Sequence, residues 1–151
     1  VYGWLGIDLR WVMKQELRKL PGLGAGCEKV GHIFVDRSNP EAARAALNEA
    51  LDRIGDGVGI LFFPEGTRSR DGRLKPFKKG AFRMALDQGL PILPLTLLGT
   101  REILPAGTLT VKPGCAKIVV HEPIFPEGHD ARSLMMASRD VIASALPAET
   151  R

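Results

Sequence analysis

The apolar positions along the chain change period several times, and each change marks an element. Val30 to Asp36 is rich in branched and aromatic residues and ends at polar Arg37-Ser38-Asn39, which reads as a strand leaving a sheet. Asn39 followed by Pro40 is a helix start, because the Asn side chain can accept an orphan backbone N–H and proline at the first helical position gives up no intrahelical bond. Behind it Ala43, Ala46, Leu47, Ala50, Leu51 and Ile54 keep returning to one face, and Gly55-Asp56-Gly57 ends the helix. Val58 to Phe63 is an unbroken apolar run of strand length, as expected of a strand covered on both faces.

Further along, Lys78 to Gln88 reads as a helix with Phe82, Ala85 and Leu86 on one side and Gly89 as its stop. Ile92 to Leu98 reads as a strand, and Thr108–Lys112 with Ala116–His121 as a hairpin around Pro113-Gly114. Asp130 can cap a last helix carrying Leu134, Val141, Ile142 and Ala145. The first 29 residues allow two readings, a strand over Leu9–Met13 with a helix over Lys14–Leu20, or one helix over both; the first is preferred. Strand and helix alternating in this way predict an α/β fold with a mainly parallel or mixed sheet flanked by helices. No repeat, low-complexity tract or linker interrupts the chain, so residues 1–151 are expected to form a single domain.

Composition bounds the function. The chain has 151 residues, 44% hydrophobic and 25% charged, within the ordinary globular range. The longest uncharged run, Gln88 to Thr100, is broken by Pro91 and Pro94 and is shorter than the ~18 residues that mark a membrane-span candidate. Cys27 and Cys115 stand far apart with no Cys/His cluster, so neither a zinc site nor a disulfide framework is expected. Charge, by contrast, is localised. From Arg68 to Arg83 seven basic residues face one acid, Asp71, a local net charge of +6, so the remainder carries −2 of the total of +4.

The most informative segment is Phe63-Pro64-Glu65-Gly66-Thr67-Arg68-Ser69-Arg70, placed where an apolar strand ends. In open α/β sheets the loops at the carboxyl ends of strands form the ligand crevice. Pro64 stiffens the exit, and Gly66 lets backbone N–H groups approach an anion closely. Arg68 offers a planar fork of donors suited to phosphate oxygens, and Glu65 can orient that fork or a substrate hydroxyl. The plainer reading is a solvated turn in which Glu65 and Arg68 make a surface ion pair worth under ~1 kcal/mol.

Phe63 to Ser69 resembles the third sequence block of the glycerol-3-phosphate and lysophosphatidate acyltransferase family. Gly31-His32-Ile33-Phe34-Val35-Asp36-Arg37 resembles the second block and Leu90-Pro91-Ile92-Leu93-Pro94-Leu95 the fourth, in the family's order and spacing. Lys78-Lys79-Gly80 is similar to the family as well, and matching features run from about Trp11 to Thr100. The family's first block, His-x4-Asp, has no counterpart: none of His32, His121 and His129 has an Asp five positions on. The start of the chain carries no initiator Met, and the resemblance puts the catalytic His and Asp shortly upstream of Val1.

The resemblance implies transfer of an acyl group from acyl-CoA or acyl-carrier protein to the sn-2 hydroxyl of 1-acyl-glycerol 3-phosphate. It also implies no metal or other cofactor, with Lys14, Arg37, Glu65, Gly66, Thr67 and Arg68 binding the acceptor. Pro91 and its apolar neighbours would support the site. Lys75, Lys78, Lys79 and Arg83 form a solvated face able to meet anionic lipid at the cytoplasmic side of a membrane. Trp4, Leu5, Trp11 and Val12 suit core packing better than a membrane-facing patch. Two alternatives stay open: an acyltransferase for another acceptor, or a non-catalytic module binding anions or a membrane surface. A nucleic-acid partner is not expected, because the basic stretch lacks interleaved stacking aromatics beyond Phe77 and Phe82.

Overall fold

The computed structural model describes residues 5–55, 57–108 and 110–151. The chain packs as two compact units, residues 1–63 and 64–151.

The first unit is built on a parallel three-stranded sheet with β1 (Asp8–Lys14) at its centre, β2 (Ile33–Val35) on one side and β3 (Val58–Leu61) on the other. Val12 registers with Ile33 and Lys14 with Val35; Asp8 registers with Val58 and Trp11 with Leu61. Leu9, Val12, Ile33 and Val35 are buried in this sheet. Strand therefore precedes helix at the start, as preferred above, and Val12 belongs to the core. Trp4 lies outside the described residues.

The next segment departs from expectation. In place of one helix from Lys14 to Leu20, a 3₁₀ helix spans Gln15–Lys19, and Pro21-Gly22 turn the chain into α1 (Leu23–Lys29), which nothing in the periodicity announced. Gly24 and Gly26 lower the helix propensity of this stretch. Packing explains one of them: a Cβ on Gly24 would fall 2.0 Å from the Arg18 carbonyl oxygen, so only glycine lets α1 lie this close to the 3₁₀ turn. An exposed Arg18–Glu28 ion pair joins the same two elements.

The helix α2 (Pro40–Arg53) begins as its sequence indicates, with the Asn39 side chain accepting the Ala42 N–H at 3.0 Å and Pro40 in the first turn. It packs on β2 and buries Leu47 and Ala50. The expectation for β3 needs correction. Its four residues are half-buried rather than covered on both faces, because among the described residues it is paired through β1 alone.

In the second unit α3 (Gly80–Gln88) stops at Gly89, whose φ of 62° is the left-handed conformation of a helix stop. Phe82 and Ala85 of α3 and Leu134 of α5 (Ala131–Ser144) form the core, with Phe77, Ile92, Ile124 and Met135 packed around them. Asp130 caps α5 through the Arg132 and Ser133 N–H groups, and Ser133 Oγ accepts the Asp130 N–H in return, a complete capping box. Between these helices β4 (Leu95–Leu98) runs antiparallel to β5 (Lys117–Val120), Leu95 opposite Val120 and Leu98 opposite Lys117. The expected hairpin of 108–112 with 116–121 is thus overturned: β5 takes β4 as its partner. Leu109 of the expected strand lies outside the described residues; among those described, a short helix α4 (Thr100–Ile103) and irregular chain with Pro105 and Pro113, neither able to donate to a ladder, lie between.

Thr96, buried in β4, ties three elements. Its Oγ1 donates to the Ile142 carbonyl at 3.1 Å and lies 2.9 Å from Nε2 of His121. One hydroxyl has one proton, so the His121 ring must carry its own on Nε2 and donate it to Thr96. A parallel sheet with flanking helices in one unit and an antiparallel pair with helices in the other is the mixed α/β fold the alternation predicted. Among the described residues no helix is long and apolar enough to cross a membrane. Both cysteines are free thiols, Cys27 half-buried and Cys115 exposed.

Candidate functional site

The loop that follows β3 is closed at its base. The Lys78 N–H donates to the Pro64 carbonyl at 2.8 Å, joining the two ends of a fifteen-residue segment, 64–78. Inside it the Glu65 carboxylate accepts the Lys75 N–H at 2.9 Å, and the Leu74 N–H donates to the Thr150 carbonyl at 2.8 Å near the chain's end. Glu65 therefore holds the loop's shape. The surface ion pair between Glu65 and Arg68 that the plainer reading supposed is not formed. Gly66 adopts φ +73°, which an L side chain rarely tolerates, so the glycine is required for the turn itself.

Thr67 and Arg68 are exposed beside it. Arg68 Nη1 reaches the Leu104 carbonyl at 3.5 Å, at the end of α4, and leaves most of its donor fork to solvent. In the reverse direction Arg101 of α4 donates to the Asp71 carbonyl at 3.0 Å, its guanidinium lying where a Gly72 side chain would be. The two arginines stitch the loop to the segment after β4. Asp71, the one acid in the basic stretch, accepts from Ser69 Oγ at 2.7 Å and from the Arg73 N–H at 3.1 Å. The Ser69 hydrogen bond first, then that of Arg73, holds its carboxyl below the usual range. Asp71 is thereby committed to the turn at the loop's tip.

Lys14 and Arg37 belong to the first unit and come together by register. Lys14 is the last residue of β1, opposite Val35 of β2, and Arg37 follows Val35 by two positions, so both mark the carboxyl edge of the parallel sheet. Lys14 Nζ lies 2.7 Å from Glu16, an exposed pair. Asp36, between the two strands' ends, accepts from the Ser38 N–H at 2.8 Å and the Ser38 hydroxyl at 2.5 Å. Those bonds, with the nearby Lys14 charge as a smaller cause, depress its pKa. The six residues singled out in the sequence thus fall into two groups: Lys14 and Arg37 on a sheet edge, and Glu65, Gly66, Thr67 and Arg68 on a closed loop.

Each of the three histidines has a neighbour that the structure describes. His32 Nδ1 accepts the Trp11 N–H at 3.4 Å and its ring stacks on the indole at 5.9 Å. Burial, and then the charge of Arg10, lower its pKa and favour the neutral ring. His121 is bonded to Thr96, and His129 Nδ1 lies 3.1 Å from Ser133 Oγ. Two contributors to the loop escaped the sequence reading: Arg101, thirty positions from its acceptor and without any local signal, and Lys78, which sequence alone placed on a solvated face.

The motif that resembles the family's third block lies on this closed loop, and comparison with known proteins decides the family. The family model described as Acyltransferase matches residues 4–98. The chain belongs to the acyltransferase family. Within it, the chain is 35% identical to the chloroplastic 1-acyl-sn-glycerol-3-phosphate acyltransferase BAT2 of Brassica napus over 143 residues, 94% of this chain and 41% of that protein. It is 41% identical to the 1-acyl-sn-glycerol-3-phosphate acyltransferase of Borreliella burgdorferi over 89 residues, 59% of this chain and 36% of that protein. The crystal structure of the 1-acyl-sn-glycerophosphate (LPA) acyltransferase PlsC from Thermotoga maritima superposes with a TM-score of 0.74 at 34% identity, covering 89% of this chain and 54% of that one. The fold is that of this acyltransferase. The chain spans about two-fifths of the length of the curated relatives it matches.

Proposed function

We propose that this acyltransferase chain carries the acceptor-binding part of a 1-acyl-sn-glycerol-3-phosphate acyltransferase, which moves an acyl group from acyl-CoA or acyl-carrier protein to the free sn-2 hydroxyl and yields phosphatidate. The observation that carries this reading is the Pro64–Lys78 loop, shaped by Glu65 and Gly66 with the Arg68 fork exposed, in a chain that aligns along 94% of its length with a relative bearing that activity's name. Arg68 holds the acceptor phosphate, while Glu65, Gly66 and Thr67 shape the cradle; Lys14 and Arg37, on the sheet edge of the first unit, are further acceptor-binding residues in this reading.

In this scheme a His-x4-Asp block outside residues 1–151 supplies the general base. Its His takes the proton from the acceptor hydroxyl as that oxygen attacks the thioester carbonyl, its Asp fixes the tautomer, and the C–S bond breaks to release the thiol, which leaves with that proton. Neither metal nor other cofactor enters the reaction. The protein works at the cytoplasmic face of a membrane, with Lys75, Lys79 and Arg83 meeting anionic lipid.

The test is an acyl-transfer assay on the whole protein with both thioester donors, offered lysophosphatidate, glycerol 3-phosphate and other lysophospholipids in parallel. Phosphatidate formed with the highest kcat/KM is the expected result. A clear preference for another acceptor would reassign the substrate, and no turnover of any acceptor would sink the enzymatic reading.

A further inference from the structure

The loop holds a cation that the motif does not name. The Lys78 backbone N–H closes the loop onto Pro64, which fixes its Cα across the loop's mouth from Gly66. From there its side chain folds back over the glycine. A Cβ placed on Gly66 would lie 3.0 Å from Lys78 Cε, 3.2 Å from Nζ and 3.3 Å from Cδ. Gly66 is required for its positive φ, and the flexible end of the lysine lies against it. Among the described residues no carboxylate lies within ion-pair distance of the Lys78 ammonium; Glu65 is turned to the Lys75 amide and Asp71 to Ser69 and the Arg73 N–H. An unneutralised ammonium thus lies against Gly66, the residue that precedes Thr67 and Arg68 in the motif.

We propose that Lys78 is a further acceptor-contacting residue, its ammonium binding the phosphate that Arg68 engages. This rests on the reading of the loop as a phosphate cradle. The two cations divide the work by their chemistry: the guanidinium is a rigid planar fork that orients the phosphate, and the ammonium is a compact charge with rotatable donors that follows it. The fold supplies the pairing, because one residue opens the helix-bearing end of the loop and the other sits in the motif.

The experiment measures kcat and KM of the whole protein on lysophosphatidate and on the phosphate-free monoacylglycerol of the same chain, for wild type, Lys78→Ala, Lys78→Arg and Lys112→Ala. Lys112 is exposed and has no part in the loop, so its variant controls for net charge. Loss of a charge-assisted contact predicts that Lys78→Ala falls about tenfold in kcat/KM on lysophosphatidate, mainly through KM, and little on monoacylglycerol. Lys78→Arg restores most of the loss, Lys112→Ala matches wild type, and thermal unfolding of Lys78→Ala stays at the wild-type temperature. A Lys78→Ala enzyme within about twofold of wild type on lysophosphatidate overturns the assignment. So does an equal loss on both acceptors, which would make the residue a scaffold element. Wild-type protein that leaves lysophosphatidate untouched refutes the activity itself, and is seen before any variant is compared.

Discussion

Arg68 and Gly24 show how far single residues can be read. If the Arg68 fork holds the acceptor phosphate, Arg68→Lys in the whole protein should cost about 1.5–3 kcal/mol in acceptor kcat/KM, roughly ten- to a hundredfold, because an ammonium cannot replace a bidentate fork. Donor kinetics should hardly move, and Arg70→Lys, two residues on and exposed, should be much milder. Equal effects at the two positions in steady-state kinetics would point to general surface charge instead. Arg68 was legible because its type, its motif and its place after a strand all agree. Gly24 was not, since its need arises from the Arg18 carbonyl against which it lies. Gly24→Ala should destabilise the fold by about 1–3 kcal/mol through overpacking, read as a lower urea midpoint with unchanged slope. A neutral substitution there would mean that α1 can lift off the 3₁₀ turn without penalty.

At the scale of elements, what was legible is what carries its own punctuation. Asn39-Pro40 opened α2, Gly89 closed α3 and Asp130 opened α5, each by a local hydrogen bond or backbone conformation that needs no distant partner. Partnership in the sheets was not legible: 117–120 could pair with any neighbouring strand, and the choice of β4 over 108–112 is made by tertiary packing. The cap of α5 has a pH signature. The N–H bond from Ser133 first, then the Ser133 side chain and the Arg132 N–H, depress the Asp130 pKa below its ordinary 3.8. A carboxyl with a depressed folded pKa lends stability that is fully present above its unfolded value and is lost as pH falls below about 3.8 toward the folded one. Chemical denaturation at pH 5 and pH 3 should therefore show a smaller acid-induced loss in Asp130→Asn, which keeps a capping oxygen without the titrating charge, than in wild type. Equal losses in the two proteins would remove the cap from the list of acid-labile contacts.

For the whole molecule the decisive fact is the absence of His-x4-Asp from the 151 residues. His32, His121 and His129 are each engaged by Trp11, Thr96 or Ser133, and none is followed five positions on by the aspartate of that block. The chain alone should therefore show no acyl transfer from acyl-CoA to lysophosphatidate in a thiol-release assay. Turnover by residues 1–151 would contradict this and make His32, in the second sequence block, the first candidate base. The mixed α/β class was legible because alternation of elements is a property of the whole sequence, whereas the division into two units followed no linker or composition shift. Within the second unit, the Thr96 hydroxyl has a use at the bench. By committing its proton to Ile142 it pins the His121 ring proton to Nε2, in a half-buried setting. That proton is a built-in spectroscopic beacon: its ring resonance should vanish from a proton spectrum at the moment β4, the residue after β5 and α5 part company.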